Sequence, residues 1–324
     1  MRSRASSRCP RAPVPQSLLT QSHWPTRPTT FTDYASSGND YPMDNPQRPT
    51  MRSRKLGTML RELRESRDRT LQKAARLLSR TPSSLSKLET GKRGIRQPAL
   101  EHMLDRYELT DPDRRKALYD LARDSKKTGW WLRYEGKLDP ATLDYLSLEA
   151  EAACVQTFEL HLVPGLLQSE KYARAVNAST IPRDEPHDVD GLTEIRMRRQ
   201  QVLFKEDPLQ LWAIVSEAAL YQQQGGADVM QGQLRRLIEL STLPNVTFQV
   251  LPFTAGSHPG HNGSFTTLIT DDLSVVLVEN LIAGWYLEDL EEIRHYGLVF
   301  DHLRDAALSP SDSRALIERL VSNL

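Results

Sequence analysis

The amino-acid sequence predicts a fold that is mainly α and then α+β. A five-helix N-terminal domain is followed by an α+β domain with a small, mostly antiparallel sheet. Three observations carry this expectation. Apolar residues recur at helical spacing from Leu56 to Ala122, with capping residues between the runs. Beyond Gly129, helical runs are interspersed with short runs rich in β-branched and aromatic residues, as strands require. Charge divides at the same place: residues 51–127 hold 21 basic and 11 acidic side chains, and residues 128–324 hold 15 and 28.

That division gives +10 and −13, and with the +3 of residues 1–50 the chain of 324 residues sums to zero. The zero is a cancellation between a basic and an acidic module, and such asymmetry is a sign of nucleic-acid interaction in one part. The expected domains are 1–50, 51–127 and 128–324. Residues 1–50 are rich in Pro, Ser, Thr and Arg and too poor in apolar residues to offset the entropy of ordering. They read as a disordered tail or a gene-start artefact, with Met43 and Met51 as alternative starts. No apolar run approaches the ~18 residues of a membrane helix. Two cysteines, Cys9 and Cys154, are too few for a disulfide scaffold or a cysteine-pair zinc site, and the expected compartment is the cytoplasm.

In the basic module, Leu56, Leu60 and Leu63 mark a first helix, with Arg61, Arg64 and Arg67 on its other faces. Thr70 is a candidate N-cap for a second helix carrying Leu71, Ala74, Ala75 and Leu78. Thr81 is another N-cap, followed by Pro82 at the first helical position, where its missing N–H costs nothing. Leu85 and Leu88 face inward in this third helix, which Gly91 closes. A fourth helix runs from about Gln97 to Tyr107, and a fifth follows Thr110-Asp-Pro-Asp. Two short helices joined by a tight turn make a helix-turn-helix. Ala74 and Ala75 allow the second helix to cross the third closely. The outward residues Ser83, Ser84, Ser86 and Lys87 are small or flexible enough for a major groove about 12 Å wide.

The stretch TLQKAARLLSRTPSSLSKLETGKR resembles the helix-turn-helix of phage-repressor, xenobiotic-response-element (XRE) type transcription regulators, above all in its LSKLETGKR ending. The resemblance implies that double-stranded DNA is the partner. It implies that Thr81, Ser83, Ser84 and Lys87 approach bases and that Lys92 and Arg93 approach phosphates. This chain has Ser79 where such a turn usually holds Gly, and Arg80 where it usually holds an apolar residue. A serine in a left-handed conformation is strained but tolerated.

In the acidic module, Trp130-Trp131 is followed by a helix over about Pro140–Ala153. Strands are expected at 158–163, 209–216, 246–253, 264–270 and 274–281, the last being the final strand. Helices are expected at about 169–177, 189–204, 228–240, 287–307 and 311–323. The segments GWW (129–131), FELHLVPGLLQSEKYARA (158–175), RMRRQQVL (196–203), WAIVSEAAL (212–220), QLRRLIEL (233–240) and NVTFQVLPFTAGSH (245–258) resemble the C-terminal domain of a large actinobacterial family of antitoxin-like regulators. Its members join a repressor-class helix-turn-helix to this domain, often beside a gene for a small partner protein.

No residue pattern supports catalysis. His258 and His261 lack further ligands at metal-site spacing, GSHPGHNGS has no P-loop lysine, and no nucleophile elbow occurs. Cys154 reads as a small core residue. Trp130, Trp131, Trp285 and Tyr286 read as core, and Glu149, Glu217 and Glu279 as partners for Arg196, Arg198 or Arg199. The expected function is sequence-specific regulation of transcription by a homodimer, with no enzyme activity, cofactor or metal, and with helix 81–89 in the major groove. The C-terminal domain would dimerise and sense a small-molecule effector or a small partner protein. The alternative is an antitoxin-like chain that mainly sequesters such a partner and binds DNA for autoregulation.

Overall fold

The computed structural model describes residues 50–124, 129–180, 188–271, 273–279 and 284–323. The tail 1–49 with Cys9, the end of the basic run at 125–127, and 181–187 of the polar segment lie outside them. The described residues form two compact units, one reaching to Ser147 and the other starting at Leu148.

The first unit is helical: α1 (Met51–Glu65), α2 (Leu71–Leu77), α3 (Pro82–Glu89), α4 (Gln97–Arg106) and α5 (Pro112–Asp124). Each start has a local cause. Thr50, Thr70 and Thr81 accept bonds from the backbone N–H groups of Ser53, Lys73 and Ser84. Asp111 Oδ1 accepts from Asp113 N at 3.0 Å and Arg114 N at 3.2 Å. These caps satisfy donors that the first helical turn leaves orphaned. The inward residues Leu56, Leu60, Leu63, Leu85, Leu88, Leu100, Met103, Leu104, Leu118 and Leu121 form one core. The Met51 N–H, also at the start of α1, donates to Asp144 Oδ2 at 2.7 Å.

Helix α6 (Pro140–Glu151) leads into the second unit, whose sheet has six strands: β1 (Cys154–Glu159), β2 (Gln210–Ser216), β3 (Val246–Leu251), β4 (Phe265–Ile269), β5 (Ser274–Glu279) and β6 (Gly284–Leu287). Their order is β3-β2-β1-β4-β5-β6. β1 and β3 flank β2 in parallel, while β4, β5 and β6 continue antiparallel from the other side of β1. The α+β class therefore holds, but the sheet is larger than expected and mixed rather than mostly antiparallel. The reason is the connections. Helices α7 (Glu170–Thr180) and α8 (Val189–Arg199) lie between β1 and β2, and α9 (Glu217–Tyr221) and α10 (Ala227–Leu240) between β2 and β3. Only crossovers of that length allow a strand to return parallel.

Two strand expectations are also corrected. The first strand begins at Cys154 and ends at Glu159, so most of FELHLV lies beyond it. The run 274–281 is not the last, because β6 follows and carries Trp285, which is 46% exposed rather than core. On one face of the sheet, Phe158, Ile214, Leu251, Phe265 and Val276 pack with Ile293, Phe300 and Leu303 of α11 (Leu290–Ala306). The edge at β3 is covered by the chain beyond α11. Leu308 N donates to Val250 O at 2.9 Å, and Val250 N to Ser313 Oγ of α12 (Pro310–Asn323) at 2.9 Å. Three buried glutamines hold the loop after β1. Gln168 Nε2 donates to Val163 O at 2.7 Å, Gln200 Nε2 to Gln168 O at 2.7 Å, and Gln233 Nε2 to Leu167 O at 2.9 Å.

Candidate nucleic-acid interface

The geometry of α2 and α3 follows from small residues at their crossing. Ala74 and Ala75 are fully buried, and Leu78 and Leu85 close the angle between the helices. The turn is left-handed at Ser79, with φ of 51°. Its N–H donates to Arg76 O at 3.1 Å while Arg80 N donates to Ala75 O at 2.8 Å, which satisfies the last carbonyls of α2. The strain expected of a serine at this position is present.

Helix α3 is anchored at its carboxyl end. Gly91 takes φ of 70°, and a Cβ there would stand 2.8 Å from Arg54 N, so only glycine fits against α1. Gly57 of α1 meets the same end of α3, where a Cβ would approach Glu89 O to 2.6 Å. Between these contacts lies an ion pair that the helical periodicity of α1 does not reveal. Arg64, expected on an outer face, is 7% exposed and Glu89 8%. Arg64 Nε donates to Glu89 Oε1 at 2.7 Å and Nη2 to Glu89 Oε2 at 2.9 Å, while Nη1 donates to Arg69 O at 2.8 Å. The hydrogen bonds that the guanidinium donates to Glu89 raise its pKa and outweigh desolvation. The fork fixes α1, the start of α2 and the end of α3 to one another.

The residues expected to touch DNA lie on the outer side of α3 and in the loop after it. Thr81, Ser83, Lys87, Lys92 and Arg93 are exposed and Ser84 is half-buried. Thr81 Oγ1 is committed to capping, accepting from Ser84 N at 3.1 Å. The loop after Gly91 folds back, with Arg93 N donating to Lys87 O at 3.0 Å. Arg93 Nη1 then reaches Ser84 Oγ at 3.2 Å. Ser84 and Arg93 are thus one polar group on the outer side of α3. Lys87 stands one helical turn beyond Ser84 and Ser83, and Lys92 opens the exposed loop. Gln72, Lys73 and Arg76 of α2 are exposed as well. These three escape sequence reasoning because exposed polar residues on a helix carry no local signal.

The second unit is acidic, with 15 basic and 28 acidic side chains over residues 128–324. Glu149 is 1% exposed and receives a fork from Arg199, Nε to Oε1 and Nη2 to Oε2, each at 2.7 Å. Desolvation pushes the Glu159 carboxyl up to about 7, against a hydrogen bond from Ser264. His258 and His261 stack with ring centroids 4.0 Å apart, and burial lowers the His258 pKa. Among the described residues no group of three or more His, Cys, Asp or Glu is placed to hold a metal ion, and no helix is long and apolar enough to cross a membrane.

Comparison with known families gives two matches. A helix-turn-helix domain matches residues 55–118, and a domain of unknown function, DUF5753, matches residues 142–319. No curated protein and no solved structure matches the chain.

Proposed function

This chain belongs to the DUF5753 family and carries a helix-turn-helix domain ahead of it, the mark of a DNA-binding regulator; from that premise we propose that it is an XRE-type transcription regulator that reads an operator with α3. The observation that carries this reading is the exposed face of α3, anchored from behind by the Arg64–Glu89 fork. Thr81, Ser83, Ser84 and Lys87 meet base edges, with Lys87 the discriminating contact, since a lysine donates to the guanine O6 and N7 acceptors. Lys92 and Arg93 meet phosphates and supply salt-dependent affinity. The chain works as a dimer on half-sites about one helical turn apart, with the sheet unit serving dimerisation and the sensing of a ligand or partner. Its −13 opposes contact with the duplex.

A mobility-shift titration of the chain on the DNA upstream of its own gene tests this. A shift at about 50 mM salt that weakens as salt rises supports it, and none at that salt removes it. The second reading is the antitoxin-like one, favoured by the acidic charge of the sheet unit, with a small partner protein as its main target. Purification from the native host separates the two. A stoichiometric small protein favours the second reading, and the chain alone favours the ligand sensor.

A further inference from the structure

Large apolar side chains left in water are informative when they stand together. Phe253 is 65% exposed and Tyr221 53%. Their rings lie 5.9 Å apart between centroids, with planes 41° to one another. Tyr221 closes α9, directly after β2, and Phe253 follows β3 by two residues. Because β2 and β3 are parallel neighbours with Ser216 opposite Leu251, both residues follow the carboxyl ends of these two strands. Glu217 stands with them: its Oε2 accepts a hydrogen bond from Phe253 N at 2.8 Å.

The stretch of chain that carries this pair is strongly acidic. Residues 206–293 contain twelve Asp and Glu but only two basic side chains, Arg235 and Arg236. From 237 to 293 there are eight acidic residues and no Lys or Arg. Exposed aromatic faces beside a fixed carboxylate, in an acidic stretch of chain, are complementary to a guanidinium. That group is planar and weakly hydrated, stacks on rings and pairs with carboxylates.

We propose that Tyr221, Phe253 and Glu217 form the docking point for a basic segment of a partner protein, with an arginine stacked on the rings and facing Glu217. The net negative charge of the sheet unit steers such a segment towards it, whereas it repels nucleic acid and a second copy of the unit. The inference stands whether or not the helical unit binds DNA.

Calorimetric titration of the full chain with a hexa-arginine peptide tests it. Binding is expected to weaken about tenfold in the double variant Tyr221→Ala, Phe253→Ala, the size of one cation–π stack removed. Glu217→Gln keeps an oxygen for the Phe253 N–H but removes the charge, and is expected to weaken binding several-fold. Glu318→Gln on α12, an exposed acidic site outside the patch, is expected to bind as the parent does, and hexa-lysine more weakly than hexa-arginine. Both rings are solvent-exposed, so unchanged melting curves are expected to accompany the loss. Absent binding, or equal binding by all variants and both peptides, overturns the proposal in favour of undirected charge attraction. Arginine amide binding as tightly as the peptide overturns it in favour of a small-ligand site. Self-association that disappears with the rings overturns it in favour of a second copy of the chain.

Discussion

Among the described residues, the helical unit and the sheet unit each contain a forked arginine–glutamate pair, and the two pairs work under different conditions. Arg64 and Glu89 are both shielded, with side chains 8% and 5% exposed, and the arginine also holds a backbone carbonyl at the start of the second helix. Glu149 is equally shielded at 2%, but Arg199 is 18% exposed and keeps part of its hydration. A fork whose partners are both desolvated leaves a stranded charge when one is removed, whereas a partly wet one can recruit water. The difference matters for function because Glu89 sits at the end of the proposed reading helix, while Glu149 and Arg199 brace α6 against α8 in the sheet unit.

The largest expected effect comes from that contrast. Glu89→Ala is expected to cost the helical unit about 3 kcal/mol, because Arg64 stays buried with only the half-exposed Glu65, 3.1 Å from its Nη2, as a counter-charge. Glu149→Ala is expected to cost the sheet unit less. Denaturant unfolding, combined with hydrogen exchange in α3 and in β2, measures both; equal losses would erase the distinction between the pairs.

Acid sensitivity sharpens the comparison, since Glu159 belongs to the sheet unit alone. Its folded-state pKa is raised from 4.5 to about 7, mainly by desolvation. A carboxyl raised on folding holds its proton more tightly in the folded state, so it imposes no penalty below the unfolded value. The penalty grows as pH climbs from about 4.5 to about 7 and is complete above. Denaturant midpoints of the sheet unit are expected to fall across that interval, and Glu159→Gln to flatten the fall. An unchanged slope in the variant would assign the pH dependence elsewhere.

The smallest effect is expected at the turn of the helical unit. Ser79 holds φ of 51°, and Ser79→Gly is expected to raise stability by about 1 kcal/mol by relieving the clash of Cβ with its own backbone. A thermal melt checks this, and DNA affinity is expected to stay unchanged because Ser79 is not among the proposed DNA contacts.

What the sequence makes legible is local. Thr70 and Thr81 as caps, Ala74 and Ala75 at the crossing, and Gly91 at the helix end are all readable because cause and effect lie within a few residues. Five helices and most strand positions are legible for the same reason. The Arg64–Glu89 fork joins residues 25 apart, and Arg64 lies among the outward arginines Arg61 and Arg67 with nothing nearby to distinguish it. Strand direction is equally non-local. The helices between β1, β2 and β3 are visible in the sequence, but only the pairing of Val155 with Leu211 and of Leu211 with Val246 shows that they are crossovers of a parallel sheet. β6 escapes notice because four residues, Gly284–Leu287, carry too little alternation to stand out. Of the proposed DNA contacts, exposure of the outer face of α3 is legible, but the Arg93–Ser84 bond that ties the loop to the helix is not.

The central claim is that α3 reads base edges while the loop after it binds phosphate, and one titration addresses it directly. Affinity for operator and for unrelated duplex is measured side by side in the parent chain, in Lys87→Ala, and in the double variant Lys92→Ala, Arg93→Ala. In Lys87→Ala, the ratio of operator to unrelated affinity is expected to fall about ten- to hundredfold, the discrimination that one lysine–guanine pair supplies. The double variant is expected to lose affinity for both duplexes alike and to show a shallower dependence on salt. A Lys87→Ala chain that keeps the full ratio, or that loses both affinities equally, would contradict the assignment of α3 as the reading helix.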